Sequence, residues 1–321
     1  MTDSPPILVD GATGYVGNHV VGRLRQSALP VRALVRPGAH PDDVLLLRSL
    51  GADVIDCDLK DSTPELDRAF SGARAAVHLI GSIAPRRGES LADLHLTQTE
   101  RLIDHCHKHG VPKVVMVTAV GTGPGAESAY HATKWQAEEA LRASGLEYVI
   151  LRPSLIVGRQ VGRRDSKLVA RYAELARTRA VVPLINGGVN LVQPVFIGDV
   201  ADAVGASLAD EGLMETTMEL GGPDVVSMSE FVEALMAVIE KRKPVVGLPV
   251  FVARAAAFIL SIVQPVPLLS ADQVVLALKD SVCQENGLST VLNITPTPLA
   301  AALATYRPEG AASAVPEAGI V

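Results

Sequence analysis

Tyr130 and Lys134 stand four residues apart in the run Tyr-His-Ala-Thr-Lys. On a helix that spacing puts both side chains on one face. An ammonium beside a phenol favours the phenolate, which would draw the tyrosine down from about 10 toward the range where it exchanges a proton near neutral pH. The same ammonium can bond a ribose hydroxyl. Such a pair serves proton transfer at a carbonyl or alcohol, and it needs a hydride carrier beside it. The pair alone is a weak signal; what raises it is its position, twelve residues beyond Thr118 at the start of a helix between two expected strands.

The carrier's seat is legible near the N-terminus. Residues 7–17 read Ile-Leu-Val-Asp-Gly-Ala-Thr-Gly-Tyr-Val-Gly, a short apolar strand entering a glycine turn, followed by the amphipathic stretch 19–28. Gly11 would let the chain turn sharply, Gly14 would let the backbone approach a pyrophosphate, and Gly17 would let the helix pack close to the sheet. Thr13, Tyr15 and Val16 fill the turn between them. The helix N-terminus then offers unpaired N–H groups and a partial positive charge to phosphates. Strand before and helix after give the glycines the context of a dinucleotide site.

The end of the second strand selects the cofactor. An NAD site usually carries an acid there for the ribose 2′-hydroxyl. This chain reads Leu34-Val35-Arg36-Pro37-Gly38 instead. A guanidinium can bond a 2′-phosphate with two parallel N–H groups, so Arg36 points to NADP(H), with Arg32 a weaker helper. The alternative for Arg36 is a solvated surface arginine. Asp58, followed by Leu59, ends the third strand where a carboxylate can meet the adenine amino group, or it caps the turn that follows.

These residues need a scaffold. Apolar strands are expected at 31–35, 54–57, 75–80, 113–118 and 148–151, separated by helical stretches at 64–70, 91–109 and 130–144. Continuous apolar strands alternating with helices predict a doubly wound, Rossmann-like parallel α/β sheet. Residues 1–155 read as the dinucleotide-binding domain and 156–306 as a smaller C-terminal α/β lobe, with 191–201 returning to the core. Residues 307–321, rich in Ala, Gly and Pro, read as a disordered tail.

Composition narrows the class. The chain has 321 residues, 48% hydrophobic and 20% charged, with net charge −6 and 3% aromatic content. That is a globular composition without the basic, aromatic surface of a nucleic-acid binder. Cys57, Cys106 and Cys283 show no paired spacing, which suits a reducing compartment. The segment Met-Thr-Asp-Ser-Pro-Pro lacks the basic and apolar runs of a signal peptide, so a cytoplasmic location is expected. The apolar segment 248–269 is interrupted by Arg254 and prolines. It reads as a buried or interface helix of the second lobe, or as a helix docking on a membrane surface or a membrane-complex partner at the inner face. The cluster His105-Cys106-His107-Lys108-His109 lacks a second ligand group with zinc-like spacing, and no metal is expected there.

Taken together, Gly11 to Gly17, Tyr130/Lys134, Leu151-Arg152-Pro153-Ser154 and Gln193-Pro-Val-Phe-Ile-Gly-Asp199-Val-Ala201 resemble an extended or atypical short-chain dehydrogenase/reductase of the epimerase/dehydratase type. The resemblance spans roughly 7–305. The stretches 163–188 and Ser270-Ala-Asp-Gln-Val274 are similar to a subfamily that includes the NADPH-binding accessory subunit of respiratory complex I. The resemblance implies Tyr130 as acid/base and Lys134 as its tuner and ribose ligand. It also implies a hydroxyl after the fifth strand, Thr118 first and Thr122 second, in Thr-Ala-Val-Gly-Thr where many relatives carry consecutive serines. Asp199 is expected to be structural. Arg159, Arg163 and Arg164 fit an anionic group on a substrate, or solvated surface charge. Two functions follow: an NADP(H)-dependent oxidoreductase acting on a small molecule, with an epimerase or dehydratase variant using the same residues, or a non-catalytic NADPH-binding accessory or assembly subunit of a membrane respiratory complex with no substrate.

Overall fold

A computed structural model describes residues 4–61, 63–83, 88–263 and 269–308. The chain opens with β1 (Ile7–Val9), α1 (Tyr15–Gln26), β2 (Val31–Val35), α2 (Pro41–Ser49), β3 (Asp53–Asp56), α3 (Pro64–Phe70) and β4 (Ala75–His78). A π-helical turn, Asp93–Thr97, runs into α4 (Gln98–His109), followed by β5 (Lys113–Val117), α5 (Ala129–Arg142) and β6 (Glu147–Pro153). Then come β7 (Ile156–Val157), α6 (Lys167–Thr178), β8 (Val182–Ile185), β9 (Leu191–Val192), β10 (Val195–Phe196), α7 (Ile197–Ala209) and β11 (Thr216–Leu220). The last elements are β12 (Val226–Ser227), α8 (Met228–Val238), β13 (Val245–Leu248), α9 (Val250–Val263), α10 (Ala271–Leu276), α11 (Gly287–Thr290) and α12 (Leu299–Ala304).

Seven parallel strands form the main sheet in the order β11-β6-β5-β4-β1-β2-β3. Strand order reverses between β1 and β4, and ligands of such sheets bind in the crevice outside the strand C-termini at that point. Alternate residues serve opposite faces, as strand pleating requires. Ile7 and Val9 pack with Val20 and Leu24 of α1 and Val200 and Val204 of α7. Leu8 faces Leu66 and Phe70 of α3, Leu102 of α4 and Leu141 of α5. Helices on both faces explain why the central strands β1, β4 and β5 are buried along their whole length.

The return to the core is longer than 191–201. Helix α7 packs on α1, where Arg23 pairs with Asp202, and β11 extends the sheet beyond β6. A further apolar cluster gathers α6, β8, α8 and α12 around Phe231, Leu235 and Leu184. Of the expected tail, residues 309–321 lie outside the described residues.

Candidate active site

The first turn of α1 is built by the glycine motif itself, so the helix starts four residues earlier than its amphipathic pattern. Gly11 has φ +59, and a Cβ there would sit 2.9 Å from the Leu79 carbonyl carbon at the end of β4. A Cβ on Gly17 would sit 2.3 Å from Gly11 O. No side chain caps α1 at Gly14, which leaves its leading N–H groups for a ligand. A cradle that a methyl group would fill, ending in an uncapped helix, fits a dinucleotide pyrophosphate. The cleft in front of it is about 1730 Å³ and is lined by Gly11, Thr13, Gly14, Tyr15, Val16 and Gly17.

Arg36, Asp58 and Leu59 line the same cleft. Arg36 faces Glu89 at 3.8 Å, and Lys60 faces the same carboxylate at 3.9 Å. A carboxylate, Glu89, thus meets Arg36 from a distant loop, and nothing in the local sequence announced it. Asp58 Oδ1 accepts from the Lys60 N–H at 3.0 Å, so it does close its turn, while Thr63 caps α3. Arg32 does not join the site. Its guanidinium donates to the carbonyls of Arg68, Ala69 and Ser71, where the end of α3 offers unpaired acceptors.

Two buried histidines, unseen from the sequence, tie the strand ends together. Asp10 Oδ1 accepts from the N–H groups of Leu79 and Ile80 at 2.7 and 3.2 Å, and Oδ2 meets His78 Nδ1 at 2.5 Å. This locks the C-termini of β1 and β4 beneath the cradle. His95, on the π-helical turn, pairs through Nδ1 with Thr133 Oγ1 at 2.8 Å, and its Nε2 accepts from the Ser82 N–H at 3.4 Å. Its ring meets Tyr130 edge-on, 5.4 Å between centroids. Burial, with Lys134 and His78 nearby, pushes His95 down to about 3, so the ring is neutral. Such π-turns often sit at functional sites, but a π-turn leaves no readable sequence signal.

Tyr130 lines the cleft beside His131, and Lys134 lies beneath it with Nζ 5.6 Å from the ring centroid. Lys134 is buried against Gly81, where a Cβ would come within 2.9 Å of Nζ. Burial pushes Lys134 down to about 8, with Glu138 opposing. The expected lowering of the phenol is not what this geometry produces: burial raises Tyr130. The ammonium sits under the ring face, and desolvation dominates.

Thr118 is placed elsewhere. Its hydroxyl donates to Glu138 Oε1 at 2.7 Å, inside a buried network with Arg142 and Arg152. The cleft is lined here by Ala119 and Val120. Thr122 is buried, and its Oγ1 has no hydrogen-bond partner among the described residues. Asp199 accepts from Thr297 through both carboxylate oxygens, at 2.7 and 2.8 Å, tying α7 to the C-terminal segment. Tyr15 and Tyr306 both donate to Gly158 O, at 2.7 and 2.6 Å, which ties the segments after β7 and α12 to the glycine turn. In the histidine cluster, His105 and His109 stack on Phe70 and approach Asp67 from α3, which Lys108 Nζ already meets at 2.6 Å.

A parallel sheet in this strand order with a glycine cradle at its switch point defines a Rossmann-type nucleotide-binding protein. The chain belongs to the NAD(P)H-binding family whose model matches residues 11–179. It is 29% identical over 292 residues to the mitochondrial NADH dehydrogenase (ubiquinone) 1 alpha subcomplex subunit 9 of Arabidopsis thaliana, covering 87% of this chain and 71% of that one. It is 30% identical over 182 residues to a ceramide reductase of Caulobacter vibrioides, covering 56% and 54%. The UDP-glucose 4-epimerase of Thermotoga maritima, solved with UDP-glucose, superposes with a TM-score of 0.73 at 19% identity over 94% of this chain and 96% of that one, a likeness of fold. No helix among the described residues is long and apolar enough to cross a membrane.

Proposed function

We propose that the protein is an NADP(H)-dependent reductase of the short-chain dehydrogenase type acting on a carbonyl, with Tyr130 as the proton donor. The observation that carries this reading is Tyr130 on the cleft wall, with Lys134 buried beneath it and the glycine cradle across the β1/β4 switch point. A bound NADPH would supply the hydride; the chain's residues supply the proton and the placement. Gly11 to Gly17 would hold the pyrophosphate, Arg36 would meet the 2′-phosphate, and Asp58 and Leu59 would flank the adenine. Tyr130 Oη gives its proton to the developing alkoxide. Lys134, neighbour to Tyr130 and depressed by burial, holds a labile proton and a ribose hydroxyl. Thr118 supports the end of β5 through Glu138, and His95 fixes the Tyr130 ring. The ceramide reductase among its relatives agrees with this chemistry.

Calorimetric titration tests the cofactor: NADPH should bind at least tenfold tighter than NADH, and the reverse order overturns the assignment. Tyr130→Phe should remove turnover on a carbonyl panel and keep NADPH binding; unaltered turnover would refute the acid/base role.

A second reading, an accessory protein that holds NADPH beside a membrane complex, is favoured by α9. Its outward stripe includes Phe251, Phe258 and Ile259, which are 75%, 68% and 59% exposed. Ala119 and Val120, where a hydroxyl would serve catalysis, point the same way, as do the mitochondrial relatives.

A further inference from the structure

The cleft is larger than a dinucleotide site needs to be: about 1730 Å³ against roughly 300–1,000 Å³ for ordinary ligand pockets. Its far half is walled by the second lobe, and α6 sets its character. Lys167 and Arg171 stand four apart on this helix, as do Leu168 and Tyr172, and all line the cleft. Four-residue spacing keeps each pair on one stripe, so a cationic edge runs beside an apolar one. Lys167 Nζ donates to Ser82 Oγ at 2.6 Å, and Ser82 donates from its backbone to His95, which abuts Tyr130. The cationic edge therefore begins at the reacting centre.

Between residues 159 and 177 the chain carries Arg159, Arg163, Arg164, Lys167, Arg171 and Arg177 against Asp165 and Glu174, in a protein whose net charge is −6. All of them line the cleft. The apolar edge passes Leu184 and Met228, then reaches Ile185 and Leu248. Those last two pack with Ala253 and Ala257, the inner stripe of α9. The wall thus leads from a basic mouth beside Tyr130 to the apolar base of α9. A sugar hydroxyl facing Leu184, Met228 or Leu248 would go unpaired, which is costly.

We propose that this half of the cleft binds an amphiphile, with an anionic head at Lys167 and Arg171 and a hydrocarbon tail lying along Leu168 and Tyr172 toward Leu248. The proposal rests on the reductase reading only in taking Tyr130 as the reacting end.

The full-length protein, with and without NADP⁺, is titrated calorimetrically with octyl phosphate, ethyl phosphate, octyl glucoside and UDP-glucose, the amphiphiles below micelle formation. Octyl phosphate should bind at least tenfold tighter than each of the other three. The double variant Lys167→Ala/Arg171→Ala should bring octyl phosphate down to the affinity of octyl glucoside, and Tyr172→Ser should bring it toward ethyl phosphate. Should Tyr172→Ser fail to fold, Leu168→Ala reads the same edge. Equal binding of ethyl and octyl phosphate, equal binding of octyl glucoside, or tighter binding of UDP-glucose overturns the proposal. So does loss of octyl phosphate binding in Phe258→Ser, which would place the ligand on the outer face of α9. NADPH titrated into the same samples separates the two readings: octyl phosphate binding without NADPH binding leaves this site standing and removes the cofactor assignment.

Discussion

Thr118 Oγ1 donates to Glu138 Oε1 over 2.7 Å, and Glu138 is fully buried. The carboxylate is held further by Arg142 Nη2 at 2.8 Å and Arg152 Nε at 3.0 Å. Two guanidiniums and one hydroxyl therefore fasten β5, β6 and α5 at the edge of the cleft. Losing the hydroxyl leaves the charge paired, whereas losing the carboxylate strands Arg152 in a largely buried position.

Thr118→Val should accordingly cost about 1–2 kcal/mol of stability in urea unfolding. Its kcat should stay close to wild type, while Tyr130→Phe loses about 100-fold or more. A Thr118→Val enzyme of native stability with a collapsed kcat would return this hydroxyl to the chemistry.

His95 gives an acid-stability prediction. Its folded pKa is pushed down to about 3, from an ordinary value near 6.5. The unfolded chain binds this proton first, so stability is complete above about pH 6.5 and falls as pH drops from there toward 3. From about pH 6.5 to 4.5 the loss from this one group is on the order of 2 kcal/mol. Urea midpoints measured across that window should fall more steeply for wild type than for His95→Asn. Parallel curves would mean that His95 takes up its proton in the folded state.

The cofactor prediction turns on Glu89. It sits 3.8 Å from Arg36 and 3.9 Å from Lys60, where it balances two cations that a 2′-phosphate would otherwise meet. Arg36→Ala should weaken NADPH roughly 10- to 100-fold, the worth of a charge-assisted hydrogen bond, and leave NADH nearly unchanged. Glu89→Gln should tighten NADPH, since the anion no longer competes with the phosphate for Arg36. Calorimetry on both variants with both cofactors reads this directly. Equal losses for NADPH and NADH in Arg36→Ala would assign the arginine to the adenosine common to the two.

What was legible in the sequence was what depends on neighbours along the chain. Gly17 is demanded by a backbone approach within its own turn, and Gly11 by the positive φ of that turn, so their spacing already specifies the cradle. The apolar runs of β1, β4, β5 and β6 report burial on both faces, and Tyr130/Lys134 report a shared helical face. The rest depends on contacts between distant segments. Asp10 meets His78 across 68 residues of chain, and His95 meets Thr133 across 38. Whether Thr118 turns toward the cleft or toward Glu138 is decided by how α5 lies across β5. Arg32 and Arg36 are alike in the sequence, yet one caps α3 and the other lines the cleft. The depth of the return through α7 and β11 was hidden for the same reason, because only pairing with β6 reveals that strand.

Helix α9 supplies the last prediction. Its inner stripe, Ala253 and Ala257, is buried with Leu269 and Val274, while Phe251, Val252, Phe258 and Ile259 face outward. Exposed apolar surface on this scale is typical of a docking face rather than of an ordinary solvent-facing helix. From residue 241 to 271 the chain carries Lys241, Arg242, Lys243 and Arg254 and no carboxylate, which favours a negatively charged partner surface. Wild-type protein should therefore co-sediment with vesicles containing anionic phospholipid, and less so as salt is raised. Phe251→Ser/Phe258→Ser should stay in the supernatant while binding NADPH as wild type does, because neither residue lines the cleft. Equal sedimentation of the two proteins would remove α9 from any membrane role. Loss of NADPH binding in the variant would show instead that the helix is a structural wall of the site.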